Sequence, residues 1–327
     1  MPALLLAVQA LLFTVGAFCY ALLNVLSQLS KEPDGSYAYS MPTVVLTAEA
    51  VKFCLSMGFL AKEQGSLLAA LRAVWATPLA TWLLFAVPAV LYAVNNNLDM
   101  LNNQYMDPAT ESVLVQLKIL TTGLAWRFVF KKELGGRKWV SLVLLFLGCA
   151  GAGWPTASTG KATNGMYIEP FGLVLVSFYV VISATAGVYN EWLYKNLGRD
   201  ESIHVCNIRI YTIGVLFCLC THLGVHSAGG GAPLRNLFHG YNVYTWALVA
   251  TYSLMGLLLA QVMKVFDSIV KLFISGSSMY VSAVLTVLVF GRMPSAMFVG
   301  SMVLVTLAVL LFNAEKIEPL FKKEHQA

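Results

Sequence analysis

The stretch VLVQLKILTTGLAW at residues 113–126 places one cation, Lys118, inside a long apolar segment. A second segment, SIVKLFISGSS at residues 268–278, does the same with Lys271. An ammonium group at the centre of a bilayer costs roughly 2.5–3.5 kcal/mol on insertion scales, so such residues usually face a bundle interior or a water-filled cavity. The two lysines are separated by nearly half of the 327 residues. This spacing predicts an internal duplication in which each half of the chain supplies one cation to a shared site.

The composition is that of a polytopic membrane protein. Hydrophobic residues make up 58% of the chain and charged residues only 11%, whereas soluble domains contain roughly 25% charged residues. The apolar runs have about the 20-residue length of a membrane-spanning helix and lack the two-residue alternation of a barrel strand. Only helices and closed barrels satisfy the backbone in lipid. We therefore expect an all-α membrane protein that lies in the lipid bilayer.

Apolar runs broken by charged residues, Pro or Gly predict ten transmembrane helices. Their approximate positions are residues 4–27, 41–61, 79–103, 109–130, 138–155, 170–194, 204–225, 241–263, 267–290 and 294–313. Ten spans divide into two repeats of five, residues 1–155 and residues 156–327, the second ending in a short C-terminal tail. An odd number of spans per repeat places the repeats in opposite orientation. Lys118 and Lys271 then occupy equivalent positions in spans four and nine.

Basic residues gather on one predicted side of the membrane. Outside the spans, the opposite side holds only Lys31, Lys161, Arg235 and Arg292. By the positive-inside rule the basic side is cytosolic, and both termini lie there, as an even number of spans requires. The net charge of +5 therefore reflects the excess of basic residues on the cytosolic side of the membrane. We expect no nucleic-acid partner. The sequence leaves the oligomeric state open, with a homo-oligomer among the alternatives.

The sequence contains no pattern of catalytic or metal-ligating residues. The six cysteines all lie in predicted spans, and the five histidines are scattered near span ends and loops. Neither set has the spacing of a disulfide framework, a metal site or a clustered active site. We therefore expect no metal, no cofactor and no enzymatic activity.

The lysine pair has the chemistry of an anion clamp. Two ammonium groups in a cavity of low effective dielectric would bind a phosphate or diphosphate strongly. The alternative is that Lys118 and Lys271 each snorkel to the membrane interface or pair with a nearby acid.

Amide and aromatic side chains lie in two other spans. Tyr92 and Asn96 occur in YAVNNN, where such polarity is costly in lipid. Asn207 and Tyr211 are four residues apart on one helical face. Asn amides offer donors and acceptors to a nucleobase or sugar, and a Tyr ring can stack on a base. The alternative is hydrogen bonding between helices, which also uses Asn in membrane bundles.

Two pairs of opposite charges stand at helical spacing. Glu49 and Lys52 are three residues apart, so they lie on one helical face. Glu191 and Lys195 are four residues apart. We interpret both as structural or gating ion pairs in preference to direct ligands of a substrate.

Seven motifs spread over nearly the whole chain carry a resemblance to a known family. They are LTAEAVKF (46–53), YAVNNN (92–97), QLKILTT (116–122), RKWVSLVLLFLG (137–148), AGVYNE (186–191), NIRIY (207–211) and VMKVFDSIVKLF (262–273). On these motifs the chain is similar to the nucleotide-sugar transporter family of the Golgi and endoplasmic reticulum. It resembles the branch of the CMP-sialic acid, UDP-galactose and UDP-N-acetylglucosamine transporters.

The resemblance implies a ten-helix antiporter of the drug/metabolite transporter type in the Golgi membrane, with the endoplasmic reticulum as the alternative. Such a protein imports a CMP- or UDP-linked sugar into the lumen and returns the nucleoside monophosphate. The implied ligand residues are Lys118 and Lys271 for the phosphates, Tyr92, Asn96, Asn207 and Tyr211 for the nucleoside, and Ser275 or Ser278 nearby.

The chain departs from the family pattern at two places. Relatives carry an aromatic-Gln pair and a second Tyr just before QLKI, where this chain has Glu111, Ser112 and Val115. Sequences like NIQMY in relatives become NIRIY here, which introduces Arg209. We hypothesise that Glu111 and Arg209 are coupled.

Two alternatives to nucleotide-sugar exchange remain open at this point. The stretch QYMDPAT at residues 104–110 resembles a less-characterised member of the same branch. One alternative is therefore a transport-silent Golgi or endoplasmic reticulum membrane protein that acts through protein partners. The other is a transporter of the same fold that carries a different anionic metabolite.

Overall fold

The computed structural model describes residues 2–32, 36–106, 108–154, 169–228, 237–291 and 293–324. In these residues the fold is all-helical, which confirms the predicted class. The helices are α1 (Pro2–Leu29), α2 (Met41–Glu63), α3 (Leu67–Trp75), α4 (Leu79–Tyr105), α5 (Pro108–Leu114), α6 (Lys118–Phe130), α7 (Gly136–Ala152), α8 (Pro170–Trp192), α9 (Ile203–Ala228), α10 (Val243–Val265), α11 (Ser268–Phe290) and α12 (Ala296–Glu324). A 3₁₀ turn at Val115–Leu117 joins α5 to α6, and a π-helical turn at Leu193–Leu197 extends α8.

Side-chain caps fix where two of the helices begin. Asn242 precedes α10, and its Oδ1 accepts a hydrogen bond from the backbone N–H of Thr245 at 2.9 Å. The hydroxyl of Thr245 accepts in return from the backbone N–H of Asn242, so two otherwise unpaired donors are satisfied. Ser66 caps α3 in a similar way, accepting from the N–H of Ala69 at 3.1 Å. These caps explain why helices begin directly after polar loop residues.

Among the residues described, eight helices are long and apolar enough to cross a membrane. A ninth span is formed if α3 is counted together with residues 79–92 of α4, although the two are bent by 89° at their junction. The other two predicted spans, 79–103 and 138–155, lie on α4 and α7, which are not among these eight helices. Helix α7 has 17 residues, somewhat less than the roughly 20 that a bilayer core requires.

The chain divides into two compact units that are discontinuous in sequence. The first unit contains Met1–Val90 and Asn190–Asp267, and the second contains Leu91–Tyr189 and Ser268–Ala327. Each unit therefore draws helices from both predicted repeats. The predicted repeat boundary at residue 155 lies outside the described residues and stays a prediction.

In the first unit, α2 packs against α9 and α10, and α1 packs against α10. A buried apolar cluster lies where α1, α2 and α10 meet, with Leu26, Val44 and Leu248 at its centre. In the second unit, α12 lies along α7, and α11 contacts α6 and α7.

Small residues allow the helices of the second unit to approach closely. A Cβ at Gly148 of α7 would lie 2.6 Å from Cγ2 of Val305 and 3.1 Å from the carbonyl oxygen of Ser301, both on α12. A Cβ at Gly276 of α11 would lie 2.7 Å from Cδ1 of Leu145 on α7. Because lipid tails are as apolar as these side chains, such close packing is a main source of helix association in a membrane.

Candidate functional site

A small cavity in the second unit has Lys118 in its wall. Its volume is about 160 Å³. Three helices supply its lining: residues from the α5–α6 segment, from α7 and from α11. The lining residues are Gln116, Lys118, Ile119, Cys149, Ala152, Leu272, Ser275, Gly276 and Met279.

The backbone changes its helical geometry directly before Lys118. The 3₁₀ turn Val115–Leu117 interrupts an otherwise continuous apolar span from Thr110 to Phe130. The hydroxyl of Thr122 donates to the carbonyl oxygen of Lys118 at 2.6 Å, which satisfies part of the backbone after the break. A 3₁₀ stretch within a helix often marks a hinge or a functional position. Here it sets the start of α6 and thereby the position of the half-buried Lys118.

The start of α11 supplies the other polar groups near this cavity. Lys271 lies in the first turn of α11, and Ser275 lies one turn further on the same face and lines the cavity. Ser278 is buried, and its hydroxyl donates to the carbonyl oxygen of Ser275 at 2.7 Å. Of the two serines that the resemblance indicated, Ser275 therefore contributes to the cavity, whereas Ser278 bonds to its own helix.

The start of α11 has groups that can bind an anion. The N-terminus of a helix carries a partial positive charge, and Lys271 lies in the first turn of α11, one turn after Asp267. A phosphate group could accept hydrogen bonds from an ammonium group and a hydroxyl group together. Ligand pockets for drug-sized molecules measure roughly 300–1,000 Å³. The cavity is therefore of a size for a phosphate group, with the rest of a larger ligand outside it.

In the first unit, Glu49 and Lys52 form an ion pair, with 2.5 Å between Nζ and Oε1. The side chain of Lys52 is 11% exposed and that of Glu49 is 18% exposed. The ammonium group also lies 4.7 Å from the centroid of the Tyr211 ring, at the distance of a cation–π contact. The charge of Lys52 is therefore held by a carboxylate and an aromatic ring.

Glycines on the neighbouring helices make room for this ion pair. A Cβ at Gly214 of α9 would lie 2.9 Å from Oε2 of Glu49, and a Cβ at Gly256 of α10 would lie 2.5 Å from Cδ of Lys52. The pair is thus enclosed between α2, α9 and α10. The sequence indicated the ion pair but not the glycines that accommodate it.

Asn207 and Tyr211 are buried in the first unit, at 2% and 4% exposure. The hydroxyl of Tyr194 donates to Oδ1 of Asn207 at 2.7 Å. Sequence reasoning missed Tyr194, because it lies in the π-helical turn after α8 and outside the recognised motifs. Asn207 and Tyr211 share one face of α9, as their spacing indicates.

Arg209 is 1% exposed and has its own carboxylate partner. Its guanidinium donates to both oxygens of Glu201, at 2.5 and 3.0 Å, and to the hydroxyl of Thr77 at 2.6 Å. It also lies 5.3 Å from the ring centroid of Phe85. The charge of Arg209 is therefore already compensated by Glu201, and the coupling of Arg209 to Glu111 stays a hypothesis.

The remaining sequence-predicted residues have the following positions. Glu191 is fully buried and forms an ion pair with Lys195 at 2.6 Å. Tyr92 is half-buried on α4, and the side chain of Asn96 lies outside the described residues. Glu111 is 8% exposed on α5. Within the part of the chain that the structure describes, no three His, Cys, Asp or Glu residues come together as a metal site would require.

The fold and the cationic cavity define a helical membrane protein, and comparisons with known proteins specify the family. A family model described as Nucleotide-sugar transporter matches residues 5–313. CMP-sialic acid transporter 1 of Oryza sativa subsp. japonica is 33% identical over 298 residues, which cover 89% of each chain. The "Probable UDP-sugar transporter protein SLC35A4" of Xenopus tropicalis is 30% identical over 289 residues, which cover 86% of this chain and 85% of the relative.

A solved structure, titled "Crystal structure of protein", supports the fold alone. It matches with a TM-score of 0.65 at 13% identity and covers 92% of this chain and 94% of its own. The chain belongs to the nucleotide-sugar transporter family. This confirms the resemblance that the sequence motifs indicated, and it confirms membership of a transporter family and not of an enzyme family.

Proposed function

We propose that this protein exchanges a nucleotide sugar for a nucleoside monophosphate across the Golgi membrane. The imported substrate would be a CMP- or UDP-linked sugar, and the exported one the corresponding monophosphate. Ten spans in two inverted repeats, with both termini in the cytosol, form the topology of this proposal. The endoplasmic reticulum is the alternative membrane.

The observation that carries the proposal is the position of Lys118. It follows a break in helical geometry inside an apolar span, and it lines a cavity together with Ser275. A cation inside a span is costly in lipid, so a site that binds phosphate explains why one is there. The names of the relatives, a CMP-sialic acid transporter and a UDP-sugar transporter, support a substrate that contains phosphate groups.

Lys271, one helical turn before Ser275, would be the second phosphate-binding residue. A nucleotide sugar and a nucleoside monophosphate share phosphate groups, so both could use the same two lysines. An anion bound by both lysines would favour the change between inward-open and outward-open states. This would couple the two fluxes, because a ligand shifts a conformational equilibrium by its difference in affinity for the two states.

The proposed nucleoside contacts are an aromatic and an amide side chain on each of two helices. Tyr92 and Asn96 are the proposed contacts on α4, and Asn207 and Tyr211 are those on α9. Glu49 with Lys52 and Glu191 with Lys195 would act as structural or gating ion pairs.

Counterflow into liposomes tests the proposal. Purified protein would be reconstituted and the vesicles loaded separately with CMP, UMP, GMP or AMP, then supplied with labelled nucleotide sugars. We expect saturable uptake with one pyrimidine nucleotide inside and none with empty vesicles. Lys118→Ala should abolish exchange while the protein still folds.

Lys132→Ala is the matched control, because Lys132 is an exposed lysine in the connection between α6 and α7. It should exchange at the wild-type rate. A well-folded Lys118→Ala variant with wild-type uptake would refute the phosphate clamp. Folded wild-type protein without uptake for any loaded nucleotide would refute the exchanger and favour action through partner proteins or a different anionic metabolite.

A further inference from the structure

The contact between Tyr194 and Asn207 has a direction that bears on ligand recognition. Asn207 carries one carbonyl oxygen, which can accept two hydrogen bonds, and one amide group, which can donate two. The hydroxyl of Tyr194 donates to the carbonyl oxygen at 2.7 Å. Tyr194 is 4% exposed and Asn207 is 2% exposed. The contact therefore bonds the carbonyl oxygen of Asn207 to Tyr194 and fixes the orientation of the amide group.

The N–H groups of Asn207 take no part in the hydrogen bond with Tyr194. Within the described part of the chain they make no hydrogen bond, and the bond from Tyr194 is the side chain's single hydrogen bond. Asn207 as a whole is 2% exposed, but its amide nitrogen is not enclosed in the way that Nε of Arg209 is. Its N–H groups can therefore bond a ligand that carries an acceptor.

The local backbone is built to bring Tyr194 to this position. The π-helical turn Leu193–Leu197 closes with a hydrogen bond from the N–H of Gly198 to the carbonyl oxygen of Leu193 at 2.9 Å. A Cβ at Gly198 would lie only 2.5 Å from Sγ of Cys206, the residue before Asn207. The absence of a side chain at Gly198 thus lets the end of the π-turn lie directly against the first turns of α9. Single π-turns within helices are frequent at functional sites.

We propose that Tyr194 is a positioning residue that orients Asn207 as a hydrogen-bond donor to the nucleoside part of the substrate. The donor edge then selects an acceptor, such as a carbonyl oxygen of a pyrimidine base or a ribose oxygen. Tyr194 itself does not touch the substrate. This inference rests on the proposed function, because it takes Asn207 as a nucleoside contact.

Tyr194→Phe is the first test, measured as KM for the external nucleotide sugar in the counterflow assay. The substitution removes one hydroxyl and leaves the ring in place, so the amide of Asn207 becomes free to turn. We expect KM to rise by about three- to tenfold, the value of one hydrogen bond, with little change in the maximum rate. Tyr39→Phe is the matched control, since Tyr39 is also buried in the first unit and forms a 2.6 Å hydrogen bond with Ser30. It should leave KM unchanged.

Asn207→Asp provides the second test. The aspartate keeps an oxygen that accepts from Tyr194 but has no N–H group, so nucleotide-dependent thermal stabilisation should be lost. The melting temperature without nucleotide should also fall, because a carboxylate at a site only 2% exposed is costly. If Asn207 served only to bind Tyr194, the aspartate would retain nucleotide binding, which would overturn the inference. An unchanged or lowered KM in Tyr194→Phe would also overturn it, and a lowered KM would mean that Tyr194 competes with the substrate for Asn207.

The failure of this inference can be told apart from that of the proposed function. Wild-type protein that exchanges nucleotides, with a Tyr194→Phe variant of unaltered KM, refutes the positioning role and leaves the exchanger intact. Folded wild-type protein that neither exchanges nor is stabilised by any of the four monophosphates refutes both. If Tyr194→Phe does not fold, the thermal stabilisation of Asn207→Asp decides the question.

Discussion

Replacing Glu201 by glutamine tests how strongly one buried cation stabilises the first unit. Arg209 is 1% exposed, and its two hydrogen bonds to the Glu201 carboxylate are 2.5 and 3.0 Å long. Hydrogen bonds to charged groups contribute roughly 1.5–3 kcal/mol each, and removing one partner of a fully buried ion pair costs roughly 3–5 kcal/mol.

The expected loss is smaller than these values added together. The side chain of Glu201 is 40% exposed, so water screens part of the attraction. Glutamine also keeps one acceptor oxygen for the guanidinium. We therefore expect Glu201→Gln to lower the free energy of unfolding by about 2 kcal/mol.

The measurement is an SDS titration of the protein in mixed micelles, followed by circular dichroism. Glu133→Gln is the matched control, because Glu133 is 89% exposed and its ion pair with Arg127 is 3.5 Å long. Exposed pairs contribute roughly 0–1 kcal/mol, so this variant should stay near wild type.

A double-mutant cycle isolates the interaction itself. Arg209→Met combined with Glu201→Gln should cost less than the two single substitutions together, because replacing a whole buried ion pair with uncharged groups is often nearly neutral. Additive losses, or a Glu201→Gln variant as stable as Glu133→Gln, would refute the reasoning that Glu201 compensates the buried charge.

Three further outcomes follow from the packing and the cavity. Gly148→Ala should lower the free energy of unfolding by about 1–3 kcal/mol in the SDS titration, since its Cβ would lie 3.1 Å from a carbonyl oxygen of α12. An unchanged free energy of unfolding would show that α12 can move away from α7. Glu49→Gln should destabilise the protein by about 1–3 kcal/mol, because Lys52 is 11% exposed and loses its carboxylate; unchanged stability would mean that Tyr211 alone suffices for the ammonium group. Cys149→Phe should lower uptake, because Cys149 lines the Lys118 cavity of about 160 Å³ and a larger side chain would fill part of it; wild-type uptake by a folded Cys149→Phe variant would place the substrate elsewhere.

The parts of the fold that were predictable from the sequence depend on local signals. Long apolar runs gave the all-helical class because a span must satisfy its own backbone. Helix α3 was missed, since the nine residues Leu67–Trp75 are too short to span a membrane and include Arg72. The discontinuous units were missed as well, because no local pattern reports which helices pack together.

The candidate site was likewise predictable only where local signals reveal it. The Glu49–Lys52 contact was predictable because residues three apart lie on one helical face. Glu201 and Tyr194 were not, since each reaches α9 from the segment that precedes it, and their positions depend on how that segment turns. Lys118 was identified by its cost in lipid, a property of the residue and its surroundings that needs no tertiary information.

Three ion pairs in the described part of the first unit share a feature that concerns membrane insertion. In each of them the acid and the base are close in sequence: Glu49 with Lys52, Glu191 with Lys195, and Glu201 with Arg209. A charged group that enters the bilayer alone is expensive, whereas one that enters beside its counterion is much less so. During synthesis, each pair can therefore neutralise itself within its own helix or the adjoining turn, long before the distant helices that later enclose it have been made. Each charge inside this membrane protein is thus compensated by a neighbour in sequence at the time of insertion, before the helix bundle is complete.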